Sequence, residues 1–145
     1  MTLTLLGTGT AISKSIAPET NTTITASAAT PNKALGATIY LTRLYSVINR
    51  IPTSLEITKL ALDQTSAYIE AKKIFLTNFQ IKNLSNKNFV KALYKGLLNR
   101  TASDFDINEW THKLNTGTSR STVLLSFINS TEFDITCKLL GIKRI

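Results

Sequence analysis

Cysteine, tryptophan and histidine each occur once in this 145-residue chain, and proline three times. The single Cys137 excludes an internal disulfide framework and any cysteine-based zinc site. The single His112 has no Cys or His partner for a metal cluster and no Ser, Asp or Cys pattern that would make a catalytic triad, so it is read as a surface residue. Acids are scarce too: nine Asp and Glu stand against seventeen Lys and Arg, a net charge of +8 and a pI near 9.8. That balance invites a nucleic-acid reading. Charged residues make up only 18% of the chain, however, so this is thinly spread lysine and not a dense basic tail. No apolar run approaches the length of a membrane span. The start lacks a basic segment followed by a long apolar one, so a usual secretory signal is not expected. What is present is a globular share of hydrophobic residues, 43%. The length suits one ordinary domain or two small modules with a shared core.

Residues 1–36 differ from the rest. They are rich in Thr, Ala and Ser, nearly uncharged and free of aromatic residues. Thr2, Leu3, Thr4, Leu5 and Leu6 alternate as a strand does, and Thr22 to Thr25, with Ile24 among them, is also β-prone. Gly7 and Gly9 break the first run. Three readings stand: a loosely draped extended arm, an arm that adds a strand to a neighbour through residues such as Leu3, Leu5, Leu6 and Ile24, or a small local hairpin.

From Leu35 the spacing becomes helical. Tyr40, Leu41, Leu44, Tyr45 and Ile48 form one stripe that Pro52 ends. Thr53 and Glu56 spell a capping box for a second helix bearing Leu55, Ile57, Leu60 and Ala61. A third carries Tyr68, Ile69, Ala71, Ile74, Phe75 and Phe79. The second half repeats this order. Ser85 caps a helix with Phe89, Val90, Leu93, Tyr94 and Leu97 on its apolar face, and Ser103 with Asp106 opens another bearing Ile107, Trp110 and Leu114. Gly117 is placed to stop that helix in the left-handed conformation. Ser119 caps the next, with Val123, Leu124, Phe127 and Ile128, and a short helix over 131–140 ends at Gly141. Laid over each other, Leu44 and Tyr45 match Leu93 and Tyr94, and Asn49 and Arg50 match Asn99 and Arg100 after one insertion. Thr53 then matches Ser103, Ile57 matches Ile107 and Leu60 matches Trp110. A repeat of this size is read as one supersecondary unit used twice, each copy burying the other's open face; the alternative is chance similarity between two amphipathic helical segments.

The residues Phe89, Val90, Leu93, Tyr94, Leu97, Arg100, Ile107, Trp110, Leu114, Gly117, Ser119, Arg120, Phe127 and Phe133 carry a resemblance. Residues 84–145 resemble the helical DUF 4214 family, a domain of unknown function found in bacterial secreted, S-layer-like and cell-wall proteins, and 38–80 look like a degenerate first copy. The resemblance implies an all-helical architecture and a surface or extracellular location, and no mechanism. This chain has Ser103, Asp106 and Glu109 where the family usually has Asp, Gly and an aromatic.

Candidate sites each have a plainer reading. Asp104, Asp106 and Asn108 open like a calcium loop, yet Glu109 and Asn115 stand where such a loop needs Gly and a bidentate Glu. Carboxylates also favour the first turn of a helix. Lys87, Lys91 and Lys95 fall four apart along one helix face, and Lys82 and Arg100 extend the basic stretch with no acid between. This is either a solvated face or a contact for an anionic polymer. Arg50 and Arg100 each follow an Asn at a helix end, where a guanidinium can bond carbonyls or a carboxylate such as Glu132. Ser119 with Arg120 reads as a cap plus a surface charge, Trp110 as core, and Cys137 as a buried or half-buried thiol. The Asn-x-Ser/Thr sequons at Asn21, Asn83, Asn99 and Asn129 are read as chance in so Asn- and Thr-rich a chain.

The expectation is an all-α fold of two related helical repeats, 37–82 and 83–145, behind an extended Thr-rich arm, 1–36. The expected function is a non-catalytic structural or interaction protein. It would be a subunit of a surface, extracellular or virion-type assembly, with itself (homo-oligomer, filament or lattice) or another surface protein as partner. The alternative is a binding module for an anionic polymer (cell-wall glycan, teichoic acid or nucleic acid) through Lys82, Lys87, Lys91, Lys95 and Arg100. Neither reading requires a cofactor.

Overall fold

The computed structural model describes residues 32–145. They are all-helical, with no strand among them. The strand-donating residues Thr2, Leu3, Leu5, Leu6 and Ile24 lie outside the described residues. The helices are α1 (Lys33–Ser46), α2 (Ser54–Ala61), α3 (Ala67–Lys72), α4 (Phe79–Lys82), α5 (Asn86–Leu98), α6 (Asp104–Asn115), α7 (Arg120–Ile128) and α8 (Thr131–Leu140), with a π-helical turn over Lys73–Thr77 between α3 and α4. The first helix begins inside the segment that the sequence assigns to the arm. Asn32 is the reason: its side chain accepts from the Leu35 backbone N–H, a cap that starts the helix before its apolar stripe begins.

Caps set most of the boundaries. Thr53 with Glu56 and Ser103 with Asp106 form complete capping boxes at the starts of α2 and α6. Ser66, Ser85, Ser119 and Ser130 each accept from a backbone N–H three residues on. Asn49 and Asn99 both turn left-handed, at φ 53° and 52°, where each copy's first helix ends. The matched pair of turns is closed alike, since the N–H of Arg50 donates to the Tyr45 carbonyl and that of Arg100 to the Tyr94 carbonyl. The extra residue of the second copy lengthens α5 before its Asn.

The core is shared by both copies. Helix α5 packs against α1, α6, α7 and α8, and α1 against α2, α5 and α8. Tyr40, Leu41, Leu44, Phe75, Phe89, Leu93, Leu97 and Phe133 are all essentially buried, so neither half encloses its own apolar face. Tyr40 meets Phe133 across the α1–α8 contact, ring centroids 6.0 Å apart, and Phe75 meets Phe89 edge to face at 5.9 Å. At Gly36 α1 runs so close to α8 that an added Cβ would lie 1.8 Å from the Leu140 carbonyl oxygen. The chain's end returns to the first copy: the carbonyls of Lys143 and Arg144 accept from the N–H groups of Ala67 and Tyr68 at the start of α3.

Several periodic positions are not core. Leu55, Ile69 and Phe79 are exposed at 63%, 48% and 78%. The π-helical turn rotates the following residues away from the face that α3 began, so Phe79 falls outside the stripe it shares by spacing with Phe75.

Candidate functional site

The candidate site is built on α5. Its apolar residues Phe89, Val90, Leu93, Tyr94 and Leu97 are buried, and Lys87, Lys91 and Lys95 stand exposed on the remaining face. At 1.5 Å of rise per residue their Cα atoms climb about 6 Å from one to the next. None of the three forms an ion pair among the described residues, and residues 71–103 contain no acid. Lys82, also exposed, lies on α4 and not on this row.

Where α5 ends, the row runs into a groove of about 460 Å³. It is lined by Lys91, Lys95, Asn99, Arg100 and Thr101, with Ala102 and Ile107 as its apolar residues. The second copy's turn and the capped start of α6 therefore hold the groove's shape.

Arg100 is spoken for. Its guanidinium lies over the Tyr94 ring, 4.8 Å from the centroid. Its Nε and Nη2 donate to the two carboxylate oxygens of Glu132 at 2.8 and 3.1 Å, and Asp106 stands 3.8 Å away. The hydrogen bonds to Glu132 raise its pKa further. Arg50 repeats this in the first copy, 4.6 Å over Tyr45 and donating to both oxygens of Glu56 at 3.0 and 2.9 Å. There Glu56 caps α2 and binds the arginine with one carboxylate. In the second copy Asp106 is one methylene shorter and spends its reach on Ser103, so Glu132 from α8 takes the guanidinium. The Ser103 hydroxyl holds the Asp106 carboxyl below its ordinary range. Asp106 is thus committed to a helix terminus. Among the described residues no group of three or more His, Cys, Asp or Glu side chains is placed to hold a metal.

Arg100 also lines a smaller crevice of about 110 Å³, together with Tyr94, Leu98, Trp110, Phe127, Ser126, Ser130 and Glu132. Trp110 is only partly buried. Its ring is tilted against Phe127 at 5.2 Å, Phe127 meets Tyr94 edge to face at 4.9 Å, and Lys113 Nζ stands 4.6 Å from the indole centroid. Burial raises the Tyr94 pKa.

Leu93, Tyr94, Phe127 and Phe133 are core, Ser119 is a cap, and Gly117 has φ 115°. Cys137 is buried, and burial pushes its thiol up to about 12. His112 and Glu109 are exposed on α6.

Arg120 is the functional-looking residue that spacing misplaces. It is no plain surface charge. It lies 4.5 Å over the Phe89 ring and donates to the carbonyls of Ile81, Lys82 and Leu84 and to Asn86 Oδ1. Those carbonyls belong to the last two residues of α4 and to the turn before α5, and the charge on α7 ties that connection down. Nothing local in the sequence marks an interaction across 34 to 39 residues. A second missed feature is the buried Glu70, whose carboxylate accepts from Tyr45, Thr65 and Lys73.

This helical scaffold is matched by family: residues 72–137 fit the family described as Domain of unknown function (DUF4214). The fit starts earlier and ends earlier than the resemblance read from the sequence, taking in the π-helical turn and α4. No curated protein and no solved structure matches the chain. No helix among the described residues is long and apolar enough to cross a membrane.

Proposed function

We propose that the described domain is a non-catalytic binding module that holds an anionic polymer along the lysine row of α5. One observation carries this, and it comes from the repeat. Counting back 49 residues, as Tyr94 to Tyr45 requires, Lys87, Lys91 and Lys95 correspond to Thr38, Thr42 and Ser46. The two copies keep the same left-handed Asn, the same Arg over Tyr and the same capping box. The scaffold is therefore met without lysine at these positions. Three like charges at four-residue spacing also cost the helix a few tenths of a kcal/mol per adjacent pair. A costly feature that the fold does not require points to binding. The polymer would be a constituent of the cell surface or extracellular matrix, the location that family resemblance suggests.

The test is binding of a polyanion in low salt by wild type and by Lys87→Gln/Lys91→Gln/Lys95→Gln. Wild type binds with strong salt dependence and the triple variant does not; absence of binding by wild type in low salt ends the proposal.

A second reading, a subunit of a surface, extracellular or virion-type assembly acting through protein contacts, is favoured by a different observation. Leu55 and Phe105 occupy the same position, two residues after the cap, in both copies, and are 63% and 71% exposed. Light scattering and electron microscopy on the full chain, with and without residues 1–31, which precede the Asn32 cap of α1, distinguish it. A protein that stays monomeric at high concentration in both forms counts against assembly.

A further inference from the structure

Resting on the binding reading above, we infer that the polymer is an acidic glycan, its charged groups on the lysine row and groove and one sugar ring in the crevice beside Trp110. Arg100 lines both groove and crevice, so a single chain crossing it meets cations in one and an aromatic, hydroxyl-rimmed hollow in the other. That pairing selects among polyanions. An acidic peptide uses lysines and leaves an indole unused. A sugar offers an apolar C–H face to an aromatic ring and hydroxyls to polar rim groups. The rim can take them: Ser126 donates its own proton to the Thr122 carbonyl and leaves its oxygen free to accept, while Ser130 Oγ, already accepting from the Phe133 N–H, and the Glu132 oxygens, already accepting from Arg100, each keep a further lone pair. The carboxylate at Glu132 also disfavours a phosphate there, so the anionic groups belong on the Lys91 and Lys95 side.

The repeat gives an independent control here as well. Trp110 matches Leu60 of the first copy, which is fully buried. The fold is thus met by an aliphatic residue at this position, and the larger indole reaches the surface only in the copy that carries the lysines. Lys113 Nζ, 4.6 Å from the indole centroid, adds one more cation beside this tryptophan.

Trp110 is the chain's only tryptophan, so its emission reports the crevice alone. Full-length protein is titrated in low salt with oligogalacturonate, an uncharged oligogalactan, polyglutamate of matched charge and oligo-dT. Oligogalacturonate is expected to shift the emission and to bind about tenfold more tightly than polyglutamate, the factor one good aromatic contact supplies. Oligogalactan is expected not to bind measurably. Trp110→Leu, which installs the first copy's residue, should bring oligogalacturonate down to the affinity of polyglutamate while leaving polyglutamate unchanged. Should that variant fail to fold, the emission shift and the ranking of the four probes on wild type decide alone. Equal affinity for oligogalacturonate and polyglutamate without an emission shift overturns the glycan inference and leaves the lysine row standing. Tighter binding and stronger quenching by oligo-dT overturns it in favour of nucleic acid. No binding of any polyanion overturns both this inference and the reading it rests on.

Discussion

Gly36→Ala sets two effects of opposite sign against each other, and the structure decides between them. In an isolated helix the change is stabilising, because alanine is the better helix former by about 1 kcal/mol. In this fold the new Cβ would lie 1.8 Å from the Leu140 carbonyl oxygen, 2.7 Å from its carbonyl carbon and 3.2 Å from its Cα. All three are backbone atoms of α8, so no side-chain rotation relieves the contact. α1 and α8 must part by about 1 Å, which loosens the Tyr40–Phe133 contact between them. Overpacking that only helix separation can relieve costs about 3 kcal/mol, the upper part of the usual range. The net loss is then about 2 kcal/mol, from a total that for a domain of this size is about 6–17 kcal/mol. The melting temperature should fall by roughly 10 °C, on the order of 5 °C per kcal/mol. Gly96→Ala is the internal control. Its Cβ would meet Val47 Cγ1 at 3.2 Å and Phe75 Cζ at 3.3 Å, side-chain atoms that can give by tenths of an ångström. It should change the melting temperature by less than about 5 °C in either direction. Thermal unfolding followed by circular dichroism reads both. A Gly36→Ala protein that melts at or above the wild-type temperature would refute the α1–α8 packing described here.

Other residues make comparably sharp predictions. Arg120→Ala should cost about 2–3 kcal/mol in denaturant unfolding, since it strips a charged donor from the carbonyls of Ile81 and Leu84; Arg120→Lys should recover only part of this, having no planar fork. Burial alone would raise the Glu56 pKa, but the Thr53 N–H and hydroxyl and Arg50 outweigh it and lower the value from its ordinary 4.5. A lowered carboxylate stabilises the fold above its unfolded pKa and loses that contribution as pH falls through the folded one. Glu56→Gln should therefore be less stable than wild type by about 1 kcal/mol at neutral pH, with the gap closing below about pH 4.5 in pH-dependent melts. Cys137, buried and with its thiol pushed up to about 12, should resist a disulfide reagent at pH 8 until the chain unfolds. Prompt labelling of the native protein would contradict its placement.

Local signals made the helices and their ends legible. Thr53 with Glu56, Ser103 with Asp106, Asn49 and Asn99 each act within five residues of themselves, and each stands at the helix end where the sequence places it. The positions at which the two halves match are caps and stops of the same local kind. Non-local contacts were hidden. Gly36 looks like any helical glycine until α8 lies on it. Arg120 reads as surface charge because its carbonyl partners are more than thirty residues away. Spacing overextended the core at Leu55 and Ile69, because periodicity says which residues share a face and not whether another helix covers it, and at Phe79 because the π-helical turn breaks the period. The lysine row was visible as a pattern, but its meaning needed the register between the two halves, which sets Thr38, Thr42 and Ser46 against the three lysines. Arg100, grouped with the lysines by sequence, is instead a strut tied to Glu132, and Lys82 stands apart on α4. The groove and crevice that Arg100 lines could not be read at all, because α5, α6 and α7 with the start of α8 meet there only in three dimensions.

The most direct measurement is the salt dependence of polyanion binding by wild type and by Lys87→Gln/Lys91→Gln/Lys95→Gln, with the stability of both measured in parallel. Glutamine matches lysine in helix propensity, and removing two like-charge pairs should leave the variant as stable as wild type or up to about 1 kcal/mol more so. Wild type is predicted to show a log–log slope of affinity against salt of about −2, as release of counterions from three contacts requires. The variant should lose that slope together with the binding. A folded variant that binds like wild type, with the same slope, would contradict the account.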